Sequence, residues 1–118
     1  MLLKMTIVFV SPGICGFDAV IKATRSGDVV KLNIKSECKE IKKLANTLNS
    51  FSLQELINAK SFTENKVYEN AARYIRHFYC PIPCAIFKAI EAELGLALKR
   101  KVTIEFINKT QIRHVGVK

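Results

Sequence analysis

The chain carries none of the short signatures that announce a reaction. It has no glycine-rich phosphate loop, no G-x-G-x-x-G turn, no nucleophile elbow and no H-E-x-x-H helix. Readings that rest on those signatures, as nucleotide-phosphate, dinucleotide, serine-hydrolase or zincin chemistry, are therefore without support. A long apolar run is also missing. The first ten residues, MLLKMTIVFV, are interrupted by Lys4 and no small-residue cleavage region follows, while a membrane crossing needs about 20 apolar residues. The segment reads as a β-strand of a cytoplasmic protein that does not enter a membrane. Repeats and low-complexity linkers are absent too. With 118 residues, 49% of them apolar, the chain is expected to form one compact domain over residues 1–110 with a basic tail over 111–118.

Acidic residues are scarce. Ten Asp and Glu stand against 19 Lys and Arg, for a net charge of +9, which favours phosphates and anionic surfaces as partners. The basic residues fall into three groups: Lys35, Lys39, Lys42 and Lys43 around one helix, Lys99, Arg100 and Lys101 in a run, and Arg113, His114 and Lys118 on the tail. They do not alternate with aromatic side chains as in a single-strand binding surface. A solvated lysine face and a surface for an acidic protein or nucleic acid both fit, and self-association stays open.

What is present is cysteine. Cys15, Cys38, Cys80 and Cys84 each fall where a strand, loop or helix is expected to begin or end. In a reducing compartment such a set points to metal binding, redox work or plain burial before structural disulfides.

The periodicities place these residues. Residues 4–10 read as a strand stopped by Ser11-Pro12-Gly13. Phe17, Ala19, Ile21 and Ala23 alternate with polar residues, as do Val30, Leu32 and Ile34, and Ser26-Gly27-Asp28 makes the turn of a hairpin between them. The alternation predicts Phe17, Ala19, Ile21 and Ala23 on the core side and Lys22 in water. Ser36 is expected to cap a helix over about 37–48, Ser52 a short helix through Ala59, and Thr63 with Glu64 to open a third. After Cys80-Pro81-Ile82-Pro83-Cys84, a helix begins with Pro83 in its first turn and ends near Gly95. Val102 to Ile107 reads as a closing strand. The predicted class is α+β: a three- to four-stranded, largely antiparallel sheet in the order β-β-β-helices-β, with helices packed on one face.

Cys38 and Cys84 are thus expected in the first turns of helices, where free amide N–H groups and the helix dipole favour thiolate. Cys80 and Cys84 flank two prolines, and Cys15 precedes Gly16 in a loop. Four thiolates are the number that tetrahedral zinc or an iron–sulfur cluster requires. The spacing, one C-x-x-x-C and two isolated cysteines, is not that of a zinc ribbon. Buried structural cysteines remain an alternative, as does a redox thiol at Cys80 or Cys84 with His77 as the nearby base. His77 also suits a helix C-terminus. Asp18, Glu91 and Glu93 are expected to be surface carboxylates.

The segments Cys15-Gly16-Phe17, Ile34-Lys35-Ser36-Glu37-Cys38, Cys80-Pro81-Ile82-Pro83 and Ala89-Ile90-Glu91 with Glu93-Leu94-Gly95-Leu96-Ala97-Leu98 resemble a family of small proteins of unknown function from anaerobic bacteria and archaea, over nearly the whole chain. Cys15, Cys38 and Cys80 match its pattern. Cys84 departs from it, since alanine is common there. The resemblance implies a single domain and a cysteine-centred site of three or four thiols, with no particular ligand. A metal- or iron–sulfur-binding carrier or accessory protein, a non-catalytic interaction module and a thiol redox protein are the three functions that follow.

Overall fold

The computed structural model describes residues 5–114 and 116. Lys4 at the start of the expected first strand, and Lys118 on the tail, lie outside the described residues. Four antiparallel strands form one sheet in chain order: β1 (Thr6–Val10), β2 (Ala19–Ser26), β3 (Val29–Ser36) and β4 (Ser50–Ser52). The helices are α1 (Lys39–Thr47), α2 (Leu53–Ile57), α3 (Lys66–Tyr74) and α4 (Ile82–Glu93). The α+β class with an antiparallel sheet is the observed one.

The hairpin β2–β3 has the expected register. Ser26 pairs with Val29, leaving Gly27 and Asp28 as the loop. Gly27 takes φ 61°, the left-handed first position that the two-residue II′ loop reserves for glycine. Ala19, Ile21 and Ala23 of β2 and Val30, Leu32 and Ile34 of β3 are buried on one face. Phe17 is not among them: it precedes the first ladder pair of β2 and is 46% exposed. The alternation extends beyond the paired residues, but only pairing holds a side chain over the core.

Helices α1 and α4 cover this face, α1 over β3 and α4 over β1 and β2. Phe51, Leu44, Leu48, Ile82, Ile86 and Ile90 fill the space between. The other face keeps Ile7, Phe9, Lys22, Lys31 and Lys35 at the surface or half-exposed.

Two cap assignments shift for local reasons. Helix α1 begins two residues later than expected, at Lys39, with Cys38 as its cap residue. The Ser36 hydroxyl accepts the Cys38 N–H at 3.2 Å, a local turn that holds the chain extended one step further. Helix α3 is capped by Asn65 rather than Thr63 or Glu64. The Asn65 side chain accepts the Tyr68 N–H at 2.9 Å and donates to the Phe62 carbonyl at 2.8 Å, so one buried amide closes both the loop and the helix. Ser52 forms the expected cap of α2 as a full capping box with Glu55.

The fourth strand is not the predicted one. β4 is three residues long and pairs Ser50–Ser52 with Val29–Lys31, whereas Val102–Ile107 joins no ladder and is exposed. The order is therefore β-β-β-α-β-α-α-α. Helix α4 closes at Gly95, φ 77°, where the Leu96 N–H reaches the Glu91 carbonyl at 2.8 Å and the Gly95 N–H the Ala92 carbonyl at 3.1 Å. That is the Schellman pattern. On the tail, Gln111–His114 forms a short 3-10 turn whose first N–H is taken by Asn108 at 3.1 Å. Among the described residues no helix is long and apolar enough to cross a membrane.

Candidate functional site

Sheet register and one helix anchor bring three cysteines to the same end of the molecule. Val10 pairs with Ala19, and Ala19 with Ser36, so the loop 11–18 carrying Cys15 and the β3–α1 junction carrying Cys38 leave the same end of the sheet. Helix α4 is fixed at the opposite end. The Glu93 carboxylate accepts the Thr6 hydroxyl at 2.8 Å and the Arg25 N–H at 2.8 Å, and Arg25 donates to the Leu94 carbonyl at 3.3 Å. A helix of 12 residues spans about 18 Å, close to the length of the strands beneath it. Its N-terminus, preceded by Cys80, consequently lies at the cysteine end. Glu93, expected on the surface without a partner, is the half-buried brace that sets this direction.

Cys80 is the centre of the group. It is half-buried, and its thiol is pushed above the usual cysteine range, first by burial and then by the negative charges of Cys38, Cys15 and Glu40. The Ile82 N–H opposes the rise by donating to the sulfur. Burial and like charge outweigh that N–H, which disfavours Cys80 as the redox thiol considered beside Cys84.

The other cysteines differ. Cys38 is half-buried at the N-cap of α1, not in its first turn as expected, and its side chain, a weak acceptor, makes no cap hydrogen bond. Cys15 is exposed, in a loop that turns through Gly13 and Gly16 with an N–H to carbonyl bond of 2.9 Å between them. Cys84 is exposed in the first turn of α4. Its charge acts on Tyr68, whose hydroxyl is pushed up by burial and then by Cys84; it is not among the groups acting on Cys80. The ring of Tyr68 stacks on Phe87 at 5.8 Å and meets Phe62 at 4.8 Å.

Glu40 is the residue that sequence reasoning missed. Its carboxylate accepts the Arg76 N–H at 3.2 Å, which ties the first turn of α1 to the loop before Cys80. The two residues are 36 positions apart, and no local pattern links them. His77 stands in this loop beyond the end of α3, its ring 5.3 Å from that of Tyr79 and its carbonyl accepting the Cys80 N–H at 3.1 Å. Its backbone shapes the Cys80 turn, and it caps no helix.

Among the described residues no three His, Cys, Asp or Glu side chains stand close enough to hold a metal ion as they are. Two shallow depressions lie away from the thiols, one on the bare sheet face beside Lys22, Lys31 and Lys35, the other beside Glu55, Lys66 and Glu69. Cys15, Cys38 and Cys80 thus share one end of the sheet, with Cys15 exposed and Cys38 and Cys80 half-buried.

Exposure and charge set an order of reactivity. Alkylation of the metal-free protein should label Cys15 and Cys84 well before Cys80, and labelling of Cys80 should require a higher pH than that of the exposed thiols. Mass spectrometry of each cysteine against pH reads this directly. Fastest labelling at Cys80, or equal rates at all four sites, would contradict the arrangement.

No curated protein and no solved structure matches the chain. A family model matches residues 6–106, a span that includes all four cysteines, β1 to β4, α1 to α4 and most of the segment that follows. The chain belongs to the family of unknown function DUF6951.

Proposed function

We propose that this protein binds a metal ion, as thiolate-bound zinc or as an iron–sulfur cluster, through Cys15, Cys38 and Cys80, and serves as a carrier or accessory protein for it. The observation that carries this reading is the placement of Cys15, Cys38 and Cys80 at one end of the sheet by strand register and by the Glu93 anchor of α4, and the electrostatics of Cys80 agrees with it. Two thiols, Cys38 and Cys15, and the Glu40 carboxylate each disfavour the ionisation of the half-buried Cys80. A cation held between them reverses that sign, turning mutual repulsion into a common attraction. Thiolate is also the form that such a metal takes.

Binding requires the sulfurs to draw together. The Cys15 loop supplies the movement, being exposed and built around two glycines at positive φ, Gly13 at 96° and Gly16 at 71°. Cys38 and Cys80 stand on the fixed ends of elements packed on the core. In this reading Glu40 is the neighbouring carboxylate available as a fourth donor or as a second-sphere acceptor, and Cys84, which is not among the groups acting on Cys80, is left outside the primary set. Because the raised Cys80 thiol must lose its proton when metal binds, affinity should rise with pH through the range in which that thiol ionises.

Metal analysis and the absorption spectrum of protein purified without oxygen test the proposal. A bound zinc per chain, or iron with sulfide and a visible sulfur-to-iron band, is the expected result. Protein that leaves purification metal-free and takes up neither zinc nor reconstituted cluster would overturn it.

A further inference from the structure

The segment after α4 has strand chemistry and no strand to pair with. Val102, Ile104 and Phe106 alternate with Thr103 and Glu105, and Ile107 follows. Ile104 is 86% exposed and Phe106 fully so. Among the described residues, no backbone hydrogen bond joins positions 101–107 to the rest of the chain. The segment therefore leaves the body as an arm. The radius of gyration is 15.5 Å, against about 13.5 Å for a compact chain of this length.

The body offers a matching vacancy. β1 is an edge strand, hydrogen-bonded to β2 alone, and its five residues are close to the length of the arm. The strand itself carries no blunting residue: Thr6–Val10 contains no charge and no proline, the two devices that most often protect an edge. Ile7 and Phe9 beside it are 58% and 63% exposed, so the unpaired backbone and the unpaired apolar side chains coincide.

We infer that residues 102–107 pair with the open edge of β1 in a second copy of this chain, so that two molecules exchange arms about a two-fold axis. A reciprocal exchange closes the assembly at a dimer, because each molecule has one arm and one free β1 edge. Val102, Ile104 and Phe106 on one face of the arm with Ile7 and Phe9 of the receiving edge give five large side chains per contact. At on the order of 100 Å² for each, two symmetric contacts bury about 1,000 Å², the area that a specific interface has to reach. Ladder hydrogen bonds along β1 add to this, and they satisfy N–H and C=O groups on both partners. The inference is independent of any metal at the cysteines, which lie at loop and helix termini.

Sedimentation equilibrium across a concentration series, with hydrogen exchange on the same protein, decides it. The wild-type chain should approach twice its 13.3 kDa mass and show slowed exchange at both 6–10 and 102–107. The variant carrying Ile104→Asp and Phe106→Asp should remain at the monomer mass and still unfold cooperatively, since both side chains are exposed in the monomer, with a midpoint below that of the wild type because it lacks the stabilisation that association adds. A wild-type monomer at all concentrations would overturn the inference. So would a monomer with slow exchange at 102–107, which would mean pairing within one chain, a dimer that survives both substitutions, or a size increase only on adding nucleic acid to the Lys99-Arg100-Lys101 run.

Discussion

Ile21→Asp should leave no folded protein, whereas Phe17→Asp should melt within about 0.5 kcal/mol of the wild type, as surface substitutions usually do. The two positions belong to one alternation in the sequence and to different environments in the fold. Ile21 is 0% exposed. It pairs with Val8 on one side and Ile34 on the other, in a central strand beneath α4. Losing a buried isoleucine costs about 2–5 kcal/mol, and an unpaired carboxylate at the same place costs several kcal/mol more. That sum removes most or all of a stability of about 5–15 kcal/mol. Circular dichroism melts of both variants check the contrast. A cooperative transition near that of the wild type for Ile21→Asp would show that the other face of β2 is the buried one.

Substituting serine at Cys80 should abolish metal retention, while Cys84→Ser should keep it. The half-buried Cys80 sulfur is the one on which the charges of Cys38, Cys15 and Glu40 all act, so its removal takes away the shared centre. Serine is nearly isosteric, and its hydroxyl is a poor ligand for a soft metal beside thiolates. Cys15→Ser and Cys38→Ser should weaken retention less completely, since each removes one donor and leaves the centre in place. Cys84 is exposed and interacts with Tyr68, so its loss should leave metal content unchanged. Metal analysis of the four serine variants, with melting curves to verify the fold, measures the order. Equal losses at Cys80 and Cys84 would restore a four-thiol site across the two prolines.

The legible parts of the sequence are those whose signals are local. The β2–β3 hairpin follows from a two-residue loop with glycine at φ 61° and two strands of matched alternation. Helix α4 follows from Pro83 near its start and Gly95 at its end. β4 was not legible, because Ser50, Phe51 and Ser52 become a strand only through their pairing with Val29–Lys31. Val102–Ile107 shows the converse: a good alternation without a ladder remains extended coil in one molecule, since the ladder is what makes a strand. The same distinction holds at the thiols. The positions of Cys15, Cys38 and Cys80 at element ends could be read from spacing, but their common end of the sheet follows from register and from Glu93, which holds α4 by Thr6 and Arg25. Burial decided the state of Cys80, and burial is a property of the packed fold.

X-ray absorption at the metal edge of the anaerobically loaded protein tests the central claim most directly, because it counts the atoms bound to the metal. The account predicts at least three sulfur neighbours at about 2.3 Å, with the count falling in Cys80→Ser and unchanged in Cys84→Ser. A first shell made only of nitrogen and oxygen, or a sulfur count that is the same in the wild type and Cys80→Ser, would contradict it.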